Sequence, residues 1–250
     1  MKLAGNTILI TGGTSGIGLA FAKKFLSEGN RVIICGRREE RLADIKRAHP
    51  EIIVKTADVS VAEERVELVD WAISTFPDLN ILINNAGIQL SADLDRPVDL
   101  ERVYAEVETN FIAPLHLASL ITPHLKKQAE AAIINISSGL AFAPLAFMPV
   151  YCATKAAIHS LSLSLRYQLK DSSVRVFEIA PPAVDTELGH DRRSDKSESH
   201  GGIPVAEFMK EAISALENDV FEAPVGMAKG LHARREELFE GMNNNFVKTR

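Results

Sequence analysis

Cysteine is nearly absent. Cys35 and Cys152 are the only two in 250 residues, too few for a disulfide framework and with no C-x-x-C pair. That usage fits a reducing, cytoplasmic setting. Positive charge is in deficit: 28 Lys and Arg face 33 Asp and Glu, a net charge of −5. A mildly acidic chain lacks the basic surface that sequence-independent nucleic-acid binding needs, so no nucleic-acid partner is expected. Long apolar runs are missing. No stretch approaches the ~18 residues of a membrane span, mean hydropathy is +0.02, and residues 1–7, MKLAGNT, turn polar too early for a signal-peptide core. There is no internal repeat, and no linker before residue 180. What remains is ordinary globular usage, 46% hydrophobic and 24% charged, which excludes a disordered or fibrous chain.

Short β-branched runs at 8–10, 31–35, 52–57, 80–83, 132–136 and 174–179 alternate with helical patterns at 17–28, 39–49, 61–76, 99–127, 151–170 and 205–216. The runs are almost continuously apolar, as strands are when helices cover both faces of a parallel sheet. The fold expected is α/β: a single doubly wound parallel sheet of the Rossmann type, with right-handed crossovers. Pro114 and Pro123 are expected to kink or divide the long 99–127 pattern. Residues 220–225 could form a last strand, which Pro224 would confine to an edge or to the strand's end. Residues 1–250 read as one domain. Within it 187–218 reads as a loop-and-helix insertion over the substrate, its polar stretch 190–204 being either a solvated loop or a flap.

Ligands in such sheets bind beyond the carboxyl ends of the strands. After the first run comes TGGTSGIG, with Gly12, Gly16 and Gly18 at G-x-x-x-G-x-G spacing. Glycines permit a tight turn and let a pyrophosphate approach the backbone. The following helix start, through Ile17, offers free N–H groups, and Thr14 and Ser15 add hydroxyls. After the second run an acid would bind a ribose 2′-hydroxyl and favour NAD(H). Here stand Gly36, Arg37 and Arg38. Their guanidinium forks suit a 2′-phosphate, which favours NADP(H), unless both are merely solvated residues near a helix start.

Tyr151 and Lys155 stand four apart, on one face of a helix, and Ser138 precedes Tyr151 by thirteen residues, directly after a strand. Together with the glycine turn, Asn84-Asn85-Ala86-Gly87 and Asn110, this order resembles the classical short-chain dehydrogenase/reductase family over about residues 7–186. The resemblance implies hydride transfer between NADP(H) and a carbonyl or secondary alcohol. Tyr151 would be the acid in reduction and the base in oxidation. Free tyrosine titrates near pH 10, and an adjacent lysine ammonium favours the tyrosinate. Lys155 would tune Tyr151 and hold the nicotinamide ribose. Ser138, with Ser137 its rival by adjacency, would stabilise the developing oxyanion, and Asn110 would hold a water linking Lys155 to solvent, or else be a kink residue.

Family resemblance also implies cofactor contacts at Asp58 and Val59, where a helix cap is the other reading of Asp58. Asn85, Ala86 and Gly87 would line the cofactor, as would Pro181, Val184 and Thr186. Pro182 departs from the glycine usual in that last segment. A homodimer or homotetramer follows, with the 99–127 and 151–170 helices as interface. The apolar run 139–150, GLAFAPLAFMPV, reads equally as core or as a loop wall beside Tyr151, and the second reading suggests a fairly apolar, small-to-medium substrate. Cys152 reads as packing, and none of His116, His124 and His159 stands at a metal-ligand spacing, so no metal is expected. The ending resembles a small bacterial branch named after the D-alanine teichoic-acid operon. Two other readings share the scaffold: a nucleotide sensor that binds a partner, and an epimerase or dehydratase that returns its cofactor unchanged.

Overall fold

The computed structural model describes residues 1–188 and 201–248. Seven parallel strands, β1 (Thr7–Thr11), β2 (Arg31–Gly36), β3 (Ile53–Thr56), β4 (Leu79–Asn84), β5 (Ala131–Ile136), β6 (Val174–Ala180) and β7 (Glu222–Pro224), lie in the order β3-β2-β1-β4-β5-β6-β7. The order reverses direction between β1 and β4, which opens a crevice at the carboxyl ends of those two strands.

Strand residues alternate between two cores, as a pleat with period two requires. Ile8 and Ile10 face one core with Ile34, Ile83 and Phe177, and Leu9 faces the other with Ile33, Leu82 and Ile133. The first core is closed by α1 (Gly16–Ser27), α2 (Glu39–Ala48) and α7 (Val205–Glu217). Phe21 stacks on Phe25 and meets Phe208 edge-on, with ring centroids 6.1 and 6.3 Å apart. All three rings are fully buried, each contributing roughly 1.5–3 kcal/mol of transfer free energy. The second core is closed by α3 (Ala62–Thr75), α5 (Ala113–Leu125) and the far end of α6 (Pro149–Gln168). Of the span 187–218, α7 is therefore built into the main core, while residues 189–200 lie outside the described residues.

The long helical pattern does divide, at a π turn just ahead of Pro114. α4 (Leu100–Val107) runs into a π-helical turn, Glu108–Ile112, and then into α5. Pro114 follows two residues after the π turn and offers no N–H to the carbonyl of Asn110 within it, and Pro123 lies inside α5. The π turn has its own support. Arg65, almost wholly buried, pairs with Glu108 at 2.8 Å and donates to Val59 O at 2.7 Å. β7 is a three-residue edge strand ending at Pro224, and α8 (Ala228–Arg234) and α9 (Phe239–Lys248) follow it. No helix among the described residues is long and apolar enough to cross a membrane.

Candidate active site

Two clusters occupy the carboxyl ends of the strands. The first is the glycine turn. Gly12 takes φ +65°, and a Cβ there would sit 2.8 Å from Ala86 Cα; one at Gly18 would sit 2.4 Å from Gly12 O. The turn thus packs backbone against backbone, which any side chain would force apart. Asn85 braces it, donating from Nδ2 to Thr11 O (2.9 Å) and Gly12 O (3.1 Å). Thr11 Oγ1 in turn accepts from the N–H groups of Asn85 and Ala86, at 3.0 and 3.1 Å. Ser15, the N-cap of α1, makes no side-chain cap bond. The first-turn N–H groups of that helix are left with the positive dipole end facing the crevice, a donor set for an anion. Thr186 lies beside Gly16, 3.2 Å from where a Cβ there would be, and Ile17 packs on the first core.

The two arginines diverge. Arg38 donates to Thr14 Oγ1 (3.1 Å) and Ser15 Oγ (3.3 Å), on the turn itself. Arg37 lies 3.6 Å from Asp58. Burial alone would raise the Asp58 carboxyl, but Ser60 N–H and Oγ and the Arg37 charge outweigh it and hold the group below the usual range. Asp58 thus supports its own loop by bonding Ser60 at 2.9 and 2.7 Å. Glu187 bridges Arg38 and Arg41. Burial would raise its carboxyl too, and the two guanidiniums more than offset that.

The second cluster is buried. Ser138, Tyr151, Lys155 and Asn110 are 7, 5, 5 and 1% exposed. Lys155 Nζ donates to Ile136 O at 2.9 Å, two residues before Ser138, and lies 5.6 Å from the Tyr151 ring centroid. Burial pushes the Lys155 pKa down from 10.5 to about 8, against a smaller upward pull from the carboxylates of Glu106 and Glu178. Asn110, in the π turn, accepts from Ile88 N (2.9 Å) and donates to Ile88 O (2.8 Å) and Thr154 Oγ1 (3.2 Å). Gly87 sits against both groups: its Cβ would be 3.4 Å from Asn110 Oδ1 and 3.7 Å from Lys155 Nζ. Ser138 caps a short turn, accepting from Leu140 N at 3.1 Å, whereas Ser137 directs its hydroxyl to Ile179 O. Pro181 O accepts from Gly139 N at 2.8 Å, and Val184 bridges Ile203.

Residues 6–197 match the short chain dehydrogenase family model. The chain belongs to that family. It is 48% identical over 248 residues to the Uncharacterized oxidoreductase DltE of Bacillus subtilis (strain 168), covering 97% of this chain and 98% of the relative. Among solved structures, a short chain dehydrogenase from Burkholderia cenocepacia in complex with NADP superposes with a TM-score of 0.81 at 26% identity, covering 100% of this chain and 98% of its own. A 3-ketoacyl-(acyl-carrier-protein) reductase from Brucella melitensis complexed with NADH gives 0.80 at 26%, covering 90% and 98%. The family is one of oxidoreductases, so the scaffold is a nucleotide-binding one, and both cofactor types occur on it.

Several participants escape a reading of motifs. Glu106 is 1% exposed, accepts from Leu90 N at 2.9 Å and acts electrostatically on Lys155. Arg41 and Glu187 complete the charged group at the turn. Asn243 of α9 holds the loop before Tyr151, accepting from Ala146 N (2.7 Å) and donating to Pro144 O (3.1 Å). Only Arg41 carries a signal, standing one helical turn after Arg37 and Arg38.

Proposed function

We propose that this protein is an NADP(H)-dependent reductase of a fairly apolar carbonyl, or the reverse dehydrogenase, with Tyr151 as its acid and base. The supporting observation is the placement of Lys155. A buried cation held between Ile136 O and the Tyr151 ring, beside the unsubstituted Gly87, is expensive unless its charge is used.

The glycine turn fits a dinucleotide, because its uncapped helix start and its two hydroxyls form a donor set aimed at an anion. Gly12, Thr14, Ser15, Gly16, Ile17 and Gly18 would hold the pyrophosphate. Asp58 and Val59, with Asn85, Ala86 and Gly87, would line the adenine and ribose, and Pro181, Val184 and Thr186 the nicotinamide side. Arg38, with Arg37 and Arg41 at hand, would bind the 2′-phosphate. Glu187 occupies that guanidinium group now, so the phosphate would exchange one anion for another. When bound, the reduced nicotinamide supplies a hydride to the carbonyl carbon.

The chain's own residues do the rest. Tyr151 gives its hydroxyl proton to the carbonyl oxygen. Lys155, charged below about pH 8, lowers the cost of the tyrosinate left behind. Ser138 donates to the same oxygen as charge develops. Asn110, fixed by both backbone groups of Ile88, orders the route by which Lys155 and Tyr151 regain a proton. Leu140, Leu145 and Phe147, packed on Met148 and Tyr151, form an apolar wall that favours an apolar substituent on the substrate. Burial raises the Cys152 thiol pKa, and its sulfur packs against Leu145.

The test is loss of NADPH absorbance with a panel of ketones, aldehydes and diketones, run beside NADH. Faster consumption with NADPH and with the more apolar carbonyls is expected. Tight NADPH binding with no turnover on any of them would favour a nucleotide sensor, and product without net NADPH loss an epimerase or dehydratase.

A further inference from the structure

A second polar cluster lies one turn beyond Lys155 on α6, away from the glycine turn. Glu178 of β6 and Glu222 of β7 are direct partners in the parallel ladder. Glu178 is fully buried, and its Oε1 has no hydrogen-bond partner. Two like charges side by side on neighbouring strands destabilise a sheet, and a buried carboxylate is costly, a cost the Lys155 charge offsets only in part. Among the described residues, no lysine or arginine forms an ion pair with either acid. What does approach them is imidazole. His159 Nδ1 lies 2.8 Å from Glu178 Oε2, and His232 Nε2 of α8 lies 2.6 Å from Glu222 Oε1. One ligand atom from each of His159, Glu178 and Glu222 falls within 4.8 Å of the other two. The Phe142 ring meets both imidazoles edge-on, at 5.0 and 4.7 Å, and fixes their planes.

We propose that His159, Glu178 and Glu222, with His232 holding Glu222 from outside, form a site for a divalent transition metal of the zinc class. Imidazole and carboxylate together suit zinc and its neighbours, whereas magnesium and calcium take oxygen ligands. Bonds of 2.0–2.2 Å place tetrahedral donors roughly 3.4 Å apart, so a bound ion would widen the 2.8 Å His159–Glu178 contact and draw Glu222 in. Three protein ligands would leave the fourth tetrahedral position to water. The metal ties α6, β6 and β7 together, and α8 through the His232–Glu222 contact. It also fixes α8 behind Ser138, where a Cβ on Gly139 would already meet Leu231 and Ala228 at 2.8 and 2.9 Å. The three ligands are spread from residue 159 to residue 222 on three elements, so no sequence spacing announces them.

The experiment is a calorimetric titration of the chelator-treated full chain with Zn²⁺, followed by thermal melts with and without the ion. One ion per chain is expected, with a raised Tm. His159→Gln and His232→Gln should each weaken binding by at least about tenfold, while NADPH binding reports that the variants are folded. His232, nearer the surface, decides the matter if His159→Gln does not fold. No stoichiometric Zn²⁺ binding, or undiminished binding in His232→Gln, overturns the proposal and leaves two histidine–carboxylate pairs that share protons only.

Discussion

The two halves of the candidate active site are built from different materials. The glycine turn is backbone packed on backbone, braced by an amide and a hydroxyl, with its charged groups on the surface. The Tyr151 pocket is made of buried side chains, one of them a lysine whose pKa has fallen to about 8. A backbone site binds an anion at any pH and fails sterically. A side-chain site works only in one protonation state and fails electrostatically.

The comparison is broken most severely by giving the turn a side chain. Gly18→Val places Cβ within 2.4 Å of Gly12 O, so the turn must open. Fluorescence titration should show NADPH binding lost outright, with a Tm drop that corresponds to about 1–3 kcal/mol. Arg38→Ala leaves the turn intact and removes its surface charge. NADPH affinity should fall about ten- to hundredfold, the worth of charge-assisted bonds, while NADH affinity stays level; equal losses for both would remove the 2′-phosphate role.

The pocket should show its chemistry in pH. Folded Lys155 releases its proton near pH 8 and unfolded lysine near 10.5, so between those values the folded chain binds fewer protons and stability rises with pH. Reduction by kcat/KM should fall over the same rise, because the ammonium is lost. Activity and stability therefore move in opposite directions above pH 8, and Lys155→Met should abolish the stability trend. The smallest effect is expected at Asn243→Ala, which leaves Ala146 N and Pro144 O without their partner. It should cost about 0.5–1.5 kcal/mol of stability and raise KM more than it lowers kcat.

Legibility in the sequence follows the same division. The glycine turn is contained in seven residues, so its spacing alone describes it. Tyr151 and Lys155 share a helix face at i, i+4, and Ser138 falls directly after a strand. Asn110 could be named by family pattern, but its π turn could not. That turn depends on Arg65 reaching Glu108 and on Asn110 closing onto Ile88, both contacts between separate elements. Pro114 announces a break, which falls just ahead of it in the π turn. Glu106, Asn243 and the His159 cluster are invisible to spacing because each meets its partners across distant segments.

The most direct test is Tyr151→Phe, which deletes one hydroxyl and keeps the ring beside Lys155. With a carbonyl that the wild type reduces, kcat should fall by about 10²–10⁴, the usual worth of a general acid, while the NADPH Kd stays within about twofold. Full turnover in the variant would contradict the account, because the proton would then come from a group other than Tyr151.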